Sequence, residues 1–103
     1  MKLKETSSQE KLRGYKVYAV ELSQRVQKFL EKLDTTISER ITEKLKTLKE
    51  NPVPSDAKFI GREKNNKVFR YRIGNFRALY LLKDSEKIVL ITKIDKRPKV
   101  YQD

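Results

Sequence analysis

Three arginines crowd the last third of the chain: Arg70, Arg72 and Arg77. They flank Gly74-Asn75, a dipeptide suited to a two-residue β-hairpin loop. With that loop, Ile73 faces Phe76 and Arg72 faces Arg77. Arg70 then falls on the same face, opposite Leu79. Like charges directly opposite each other lower stability. A chain that accepts this loss has an anion to place there. RNA phosphate is the leading candidate, because a guanidinium binds phosphate bidentately and keeps its charge. The alternative is a solvated sheet face whose arginines only keep the hairpin soluble.

Arg97 and Tyr101 form a second constellation near the end of the sequence. A tyrosine there serves equally as a packing anchor. Lys67, Lys93, Lys96 and Lys99 would add attraction for a nucleic-acid backbone. Tyr71, Phe76 and Tyr80 interleave with the arginines and could stack on bases, although Tyr71 and Tyr80 also suit a core on the opposite face. Tyr15 and Tyr18 have only a structural role.

The composition narrows the chemistry. Histidine and cysteine are both absent. Zinc sites of the usual kind, disulfides and imidazole acid–base chemistry are therefore excluded, and no cofactor is expected. No obvious carboxylate pair is present. If such a chain cleaves RNA, the open route is attack by a ribose 2′-OH on the adjacent phosphate. Arginines would orient the strand and neutralise the developing charge. A catalyst without a base poised near neutral pH is weak alone, so a second macromolecule could supply substrate geometry.

The charge balance agrees with a polyanionic or acidic partner: 25 basic against 14 acidic side chains, net +11 over 103 residues. Residues 51–103 hold +7 of this excess and residues 1–50 hold +4. No long apolar run occurs, so neither a membrane span nor a signal peptide is expected. With cysteine absent, a cytoplasmic location is the default.

These side chains need a scaffold. Residues 1–13 are polar and form a flexible or partly ordered extension, leaving 14–103 as a single domain. Residues 15–20 read as a short strand. Leu22, Val26, Phe29, Leu30 and Leu33 recur at helical spacing, with Ser23 as the cap. Thr36 and Glu39 have the spacing of a capping box ahead of a second stripe, Ile37, Ile41, Leu45 and Leu48. So short a link between two amphipathic helices predicts an antiparallel pair. Asn51-Pro52-Val53-Pro54 stops the second helix. Residues 55–66 read as a loop or irregular crossing, with Phe59 and Ile60 anchored in the core. Three strands follow, near 67–73, 76–82 and 87–94, with Asp84-Ser85 in the second turn. The middle one is apolar on both faces and cannot be an exposed edge. The expected fold is a two-layer α+β domain: an N-terminal strand, an antiparallel helix hairpin, then a three-stranded antiparallel meander, all joined in one sheet.

From about Tyr15 onward the chain resembles the RelE family of toxins from type II toxin–antitoxin pairs, within the RelE/ParE superfamily, especially its archaeal members. The resemblance lies in Arg25-Val-Gln-Lys-Phe-Leu-Glu-Lys-Leu-Asp34, the Pro52/Pro54 break, Arg70-Tyr-Arg-Ile-Gly-Asn-Phe-Arg-Ala-Leu-Tyr80 and the ending Ile94-Asp-Lys-Arg-Pro-Lys-Val-Tyr101. It implies a RelE-like fold and a ribosome-dependent mRNA endonuclease that cuts in the A site by 2′-OH attack. Arg77 is similar to the family's central phosphate-binding arginine. Arg97 is similar to the arginine assigned a general-acid or charge-stabilising role. Tyr101 matches the tyrosine that stacks on a base or assists the 2′-OH. Arg70 takes the place of one of two basic residues on the second strand; Val68 stands in the other place, with Lys67 one position away. A helical, RelB-like antitoxin is also implied, in an assembly such as a heterotetramer, with the ribosome and mRNA as targets. Relatives that inhibit DNA gyrase generally lack the arginine and tyrosine of the ending, and a non-catalytic RNA-binding module is a third possibility.

Overall fold

The computed structural model describes residues 17–96. The elements differ from those expected from the sequence at several points. The first strand, β1, is Ala19–Leu22. Helix α1, Gln24–Glu31, follows, then helix α2, Thr35–Lys46, which tightens into a 3-10 turn at Thr47–Lys49. Four more strands follow among the described residues and join β1: β2 Ala57–Glu63, β3 Asn66–Ile73, β4 Phe76–Lys83 and β5 Ile88–Lys96. They form one five-stranded sheet in the order β1-β5-β4-β3-β2. Only β1 runs parallel to its neighbour; the other pairs are antiparallel. This is the expected two-layer α+β arrangement, with β4 inside the sheet.

The meander therefore has one strand more than expected. Residues 57–63 are β2, not a loop, and they pair with β3 through a two-residue turn at Lys64-Asn65. Both turn residues have positive φ, the pattern of a tight hairpin turn. Phe59 and Ile60 are correspondingly not core anchors: both are about half exposed on this edge strand. Phe59 still rests edge-on against Phe69, ring centroids 5.8 Å apart. The register slips between Phe59 and Gly61, so Ile60 is the extra residue of a β-bulge.

One face of the sheet meets the helices. Val20, Leu22, Val26, Leu30, Ile41, Leu45 and Leu48 are buried there with Tyr71, Tyr80, Val89 and Ile91. Each buried aliphatic side chain contributes about 1.5–3 kcal/mol. The buried tyrosines keep their hydroxyls bonded. Tyr80 donates to the Pro52 carbonyl at 2.5 Å, Tyr18 donates to Asp84 at 2.9 Å, and Tyr71 lies 3.3 Å from the Thr47 hydroxyl. Ser23 caps α1 as its position predicts: its Oγ accepts from the Val26 amide at 3.2 Å. The second cap differs. Asp34 is the N-cap of α2, and Thr36 lies inside the helix. Among the described residues, no helix is long and apolar enough to cross a membrane.

Candidate RNA-binding face

The opposite face of the sheet carries the arginines. Gly74, at φ 57°, occupies the first position of the two-residue turn, where a positive φ is required. That turn fixes Ile73 against Phe76, Arg72 against Arg77 and Arg70 against Leu79, as the residue types predict. Tyr71 and Ile73 alternate with the arginines and are buried, so Arg70, Arg72 and Arg77 share the face away from the helices. β2 adds Lys58, directly opposite Arg70. Among the described residues, Lys58, Arg70, Arg72 and Arg77 make no ion pair and no side-chain hydrogen bond. Arg70 and Arg77 are half-buried, whereas Arg72 and Lys58 are exposed. Leu79 lies between Arg70 and Lys93 in register, giving the cations an apolar floor.

β5 reaches this face through a second bulge. Leu79 pairs with Lys93, but Tyr80 pairs with Ile91, so Thr92 is the extra residue. Uninterrupted alternation from the buried Val89 and Ile91 would send residues 93 and 95 into the core. The bulge instead buries Ile94 and turns Lys93 and Asp95 outward. Hydrogen bonds hold it in place: Ser23 Oγ donates to the Thr92 carbonyl, and Thr92 Oγ1 donates to the Leu79 carbonyl, each at 3.3 Å. Asp95 lies directly opposite Arg77 but pairs with Lys93, 3.4 Å away.

Of the other described residues singled out from the sequence, Lys93 lies on this face, whereas Lys67, Lys96 and the three aromatics do not. Lys67 pairs with Leu82 and Lys96 with Phe76, which places both on the helix-side parity. Phe76 packs edge-on against Phe29, centroids 6.0 Å apart, and Tyr71 and Tyr80 are buried. None of the three aromatics is available for stacking on the arginine face. Burial pushes the Tyr80 phenol well above its ordinary value, with Tyr71 and Asp56 adding to the effect. Tyr18 is raised in the same direction, by burial first and then by Asp84. Arg97, Lys99 and Tyr101 lie outside the described residues, as do Tyr15 and the extension 1–13. Lys58 and Asp95 were not singled out from the sequence. The Lys64-Asn65 turn was the signal for the first, and the uneven spacing of Val89, Ile91 and Ile94 was the signal for the second.

The arrangement is a concentrated cationic surface on a rigid sheet, suited to a bent single strand. Residues 20–101 match the family described as the ParE toxin of the type II toxin–antitoxin system, parDE. A Methanocaldococcus jannaschii protein provisionally named toxin RelE1 is 36% identical over 87 residues, covering 84% of this chain and 97% of the relative. The toxin in the archaeal RelE–RelB complex from Pyrococcus horikoshii has the same fold, with TM-score 0.74 at 25% identity, covering 82% of this chain and 99% of that one. The Mycobacterium tuberculosis toxin–antitoxin complex RelBE2 gives TM-score 0.67 at 26% identity, covering 81% of this chain and 94% of that one. The five-stranded sheet, the helix pair beneath it and these likenesses lead to one conclusion: the chain belongs to the RelE/ParE family of type II toxin–antitoxin toxins, as a RelE-like member of archaeal type.

Proposed function

We propose that this toxin is a ribosome-dependent mRNA endonuclease that cuts the message in the A site and so stops translation in the cytoplasm. The observation that supports it most directly is the group of three guanidiniums on one sheet face, none with a partner among the described residues. A bare guanidinium cluster on a folded surface is costly without an anion. Arg77, at the centre of the face, would hold the scissile phosphate, with Arg70 beside it on β3 and Arg72 opposite. The ribose 2′-oxygen attacks phosphorus and the 5′-oxygen leaves, producing a cyclic phosphate and a free 5′-hydroxyl. Arg97 would stabilise charge on the departing side, and Tyr101 would stack on a neighbouring base or assist the 2′-OH. Lys93 and Lys99 would add electrostatic attraction. Lys67 and Lys96, set on the other parity, would contact RNA only beyond the arginine face.

A cognate, RelB-like antitoxin completes the proposal. The Pyrococcus and Mycobacterium relatives were solved as complexes with such partners. A partner with acidic side chains would mask the positive face when the toxin is idle.

The test is a reconstituted translation system with mapping of mRNA ends. Wild type should cut at the A-site codon. Arg77→Ala and Arg97→Ala should slow cleavage more than they weaken ribosome association; equal losses in both would remove their chemical role. Gyrase–DNA breaks with intact mRNA would reverse the assignment in favour of a gyrase-inhibiting toxin. RNA binding without any cut would leave a non-catalytic module.

A further inference from the structure

The reaction above needs a group to take the proton from the 2′-OH, and we infer that Asp95 is that group. The inference rests on the nuclease assignment and adds a residue to it. Several ordinary acceptors are absent or misplaced. The chain has no histidine and no cysteine. Arginines stay protonated and cannot accept. Among the described residues, Tyr18, Tyr71 and Tyr80 are buried on the helix side, with their hydroxyls already engaged. Lys93 on the open face is already engaged with a carboxylate, 3.4 Å from Asp95.

Asp95 has the required placement. It is the cross-strand partner of Arg77, and its ion pair with Lys93 shows that its side chain points to the arginine face. Directly opposite residues in an antiparallel pair have Cα atoms about 4.5–5.5 Å apart. An anion held by Arg77 and the Asp95 carboxylate therefore occupy neighbouring strands on the same face. The ribose oxygen that attacks a phosphate there starts about 3–3.5 Å from its phosphorus. Among the described strand residues, the other acids on this face are Glu21 on β1 and Glu63 at the far end of β2, both remote from Arg77 in register. Asp95 and Lys93 also remain accessible, with about two-fifths of each side chain exposed (41% and 39%). The strand end that carries them runs past the last residue paired with β1, so no strand among the described residues covers that edge.

The step balances. The O2′–P bond forms as the P–O5′ bond breaks. The 2′ proton passes to Asp95, and the departing 5′-oxygen takes a proton from water. Asp95 then returns its proton to the solvent. Nothing is oxidised or reduced. Lys93 acts as a positioning residue that fixes the carboxylate.

Asp95→Asn separates this role from a structural one, because removing a negative charge from a cationic face cannot weaken RNA attraction. The experiment measures single-turnover cleavage and affinity on programmed ribosomes for the full chain as wild type, Asp95→Asn and Asp95→Glu. Asp95→Asn should lose about 10²–10⁴-fold in rate, as expected for a general base, with affinity unchanged or tighter. Asp95→Glu should recover part of the rate. Wild-type rates in Asp95→Asn would overturn the assignment, and so would rate and affinity falling together. A wild-type protein that cuts no message would refute the nuclease assignment itself, and this inference with it.

Discussion

The salt dependence of RNA binding offers a quantitative test of the cationic face. Four cations there, Lys58, Arg70, Arg72 and Arg77, have no partner among the described residues, and Lys93 is tied to Asp95. Each phosphate neutralised on a single strand contributes about −0.7 to the slope of log affinity against log salt, so four contacts give about −2.8. Between 50 and 200 mM salt, that slope lowers affinity by about 50-fold. Arg77→Ala should bring the slope to about −2.1 and the loss to about 20-fold. Asp95→Asn frees Lys93, so its slope should steepen to about −3.5, a loss of about 130-fold. Lys67→Ala should leave the slope unchanged, because Lys67 lies on the other parity of β3. Cations beyond residue 96 add a contribution common to every variant, so the differences are what matter. Fluorescence anisotropy of a short labelled RNA across a salt series measures each slope. If Lys67→Ala flattens the slope as much as Arg77→Ala, binding is diffuse and the face has no special role. If Asp95→Asn flattens it, the Lys93–Asp95 pair does not restrain a phosphate contact.

Two further outcomes concern the scaffold. Tyr80→Phe removes the donor to the Pro52 carbonyl and should lower stability by about 1–3 kcal/mol at neutral pH, read by urea unfolding. The raised Tyr80 phenol keeps its proton in the folded state after the unfolded chain has begun to lose it. Wild type therefore has this stability in full below about pH 10 and loses about 1.4 kcal/mol per pH unit above it, so its advantage over Tyr80→Phe should shrink in alkali. A constant gap through that range would refute the assignment. Ser23→Ala should lower stability by about 1 kcal/mol through loss of the α1 cap. It also releases the Thr92 carbonyl, so cleavage should slow more than the melting temperature alone accounts for. Unchanged cleavage would mean that the bulge holds without Ser23.

The hairpin was the most legible part of the molecule. Gly74-Asn75 fixes the loop length, and loop length fixes register, so the Arg72–Arg77 and Arg70–Leu79 pairs followed from residue types alone. The same register set Phe76 opposite Ile73, on the helix side, where it packs on Phe29 and not among the arginines as a base-stacking residue. β2 was harder to see. Its bulge at Ile60 breaks the alternation, its large apolar residues are exposed, and its turn contains no glycine. Asp34 displaced Thr36 as the helix cap because the second helix starts two residues earlier than the capping-box spacing implied. The bulge at Thr92 was least visible. Its cause is tertiary, a pair of hydrogen bonds to residues far away in sequence, and no local propensity records it.

The parallel pairing of β1 with β5 joins positions nearly seventy residues apart, as the Ser23–Thr92 contact at a separation of 69 shows. Synthesis makes β1 well before β5, so β1 must wait for its neighbour while the intervening residues are added. Pairings this distant in sequence slow folding. On the proposed function the delay protects the message: the protein becomes competent to cut only after the ribosome has made β5, and an antitoxin translated alongside has that interval in which to bind.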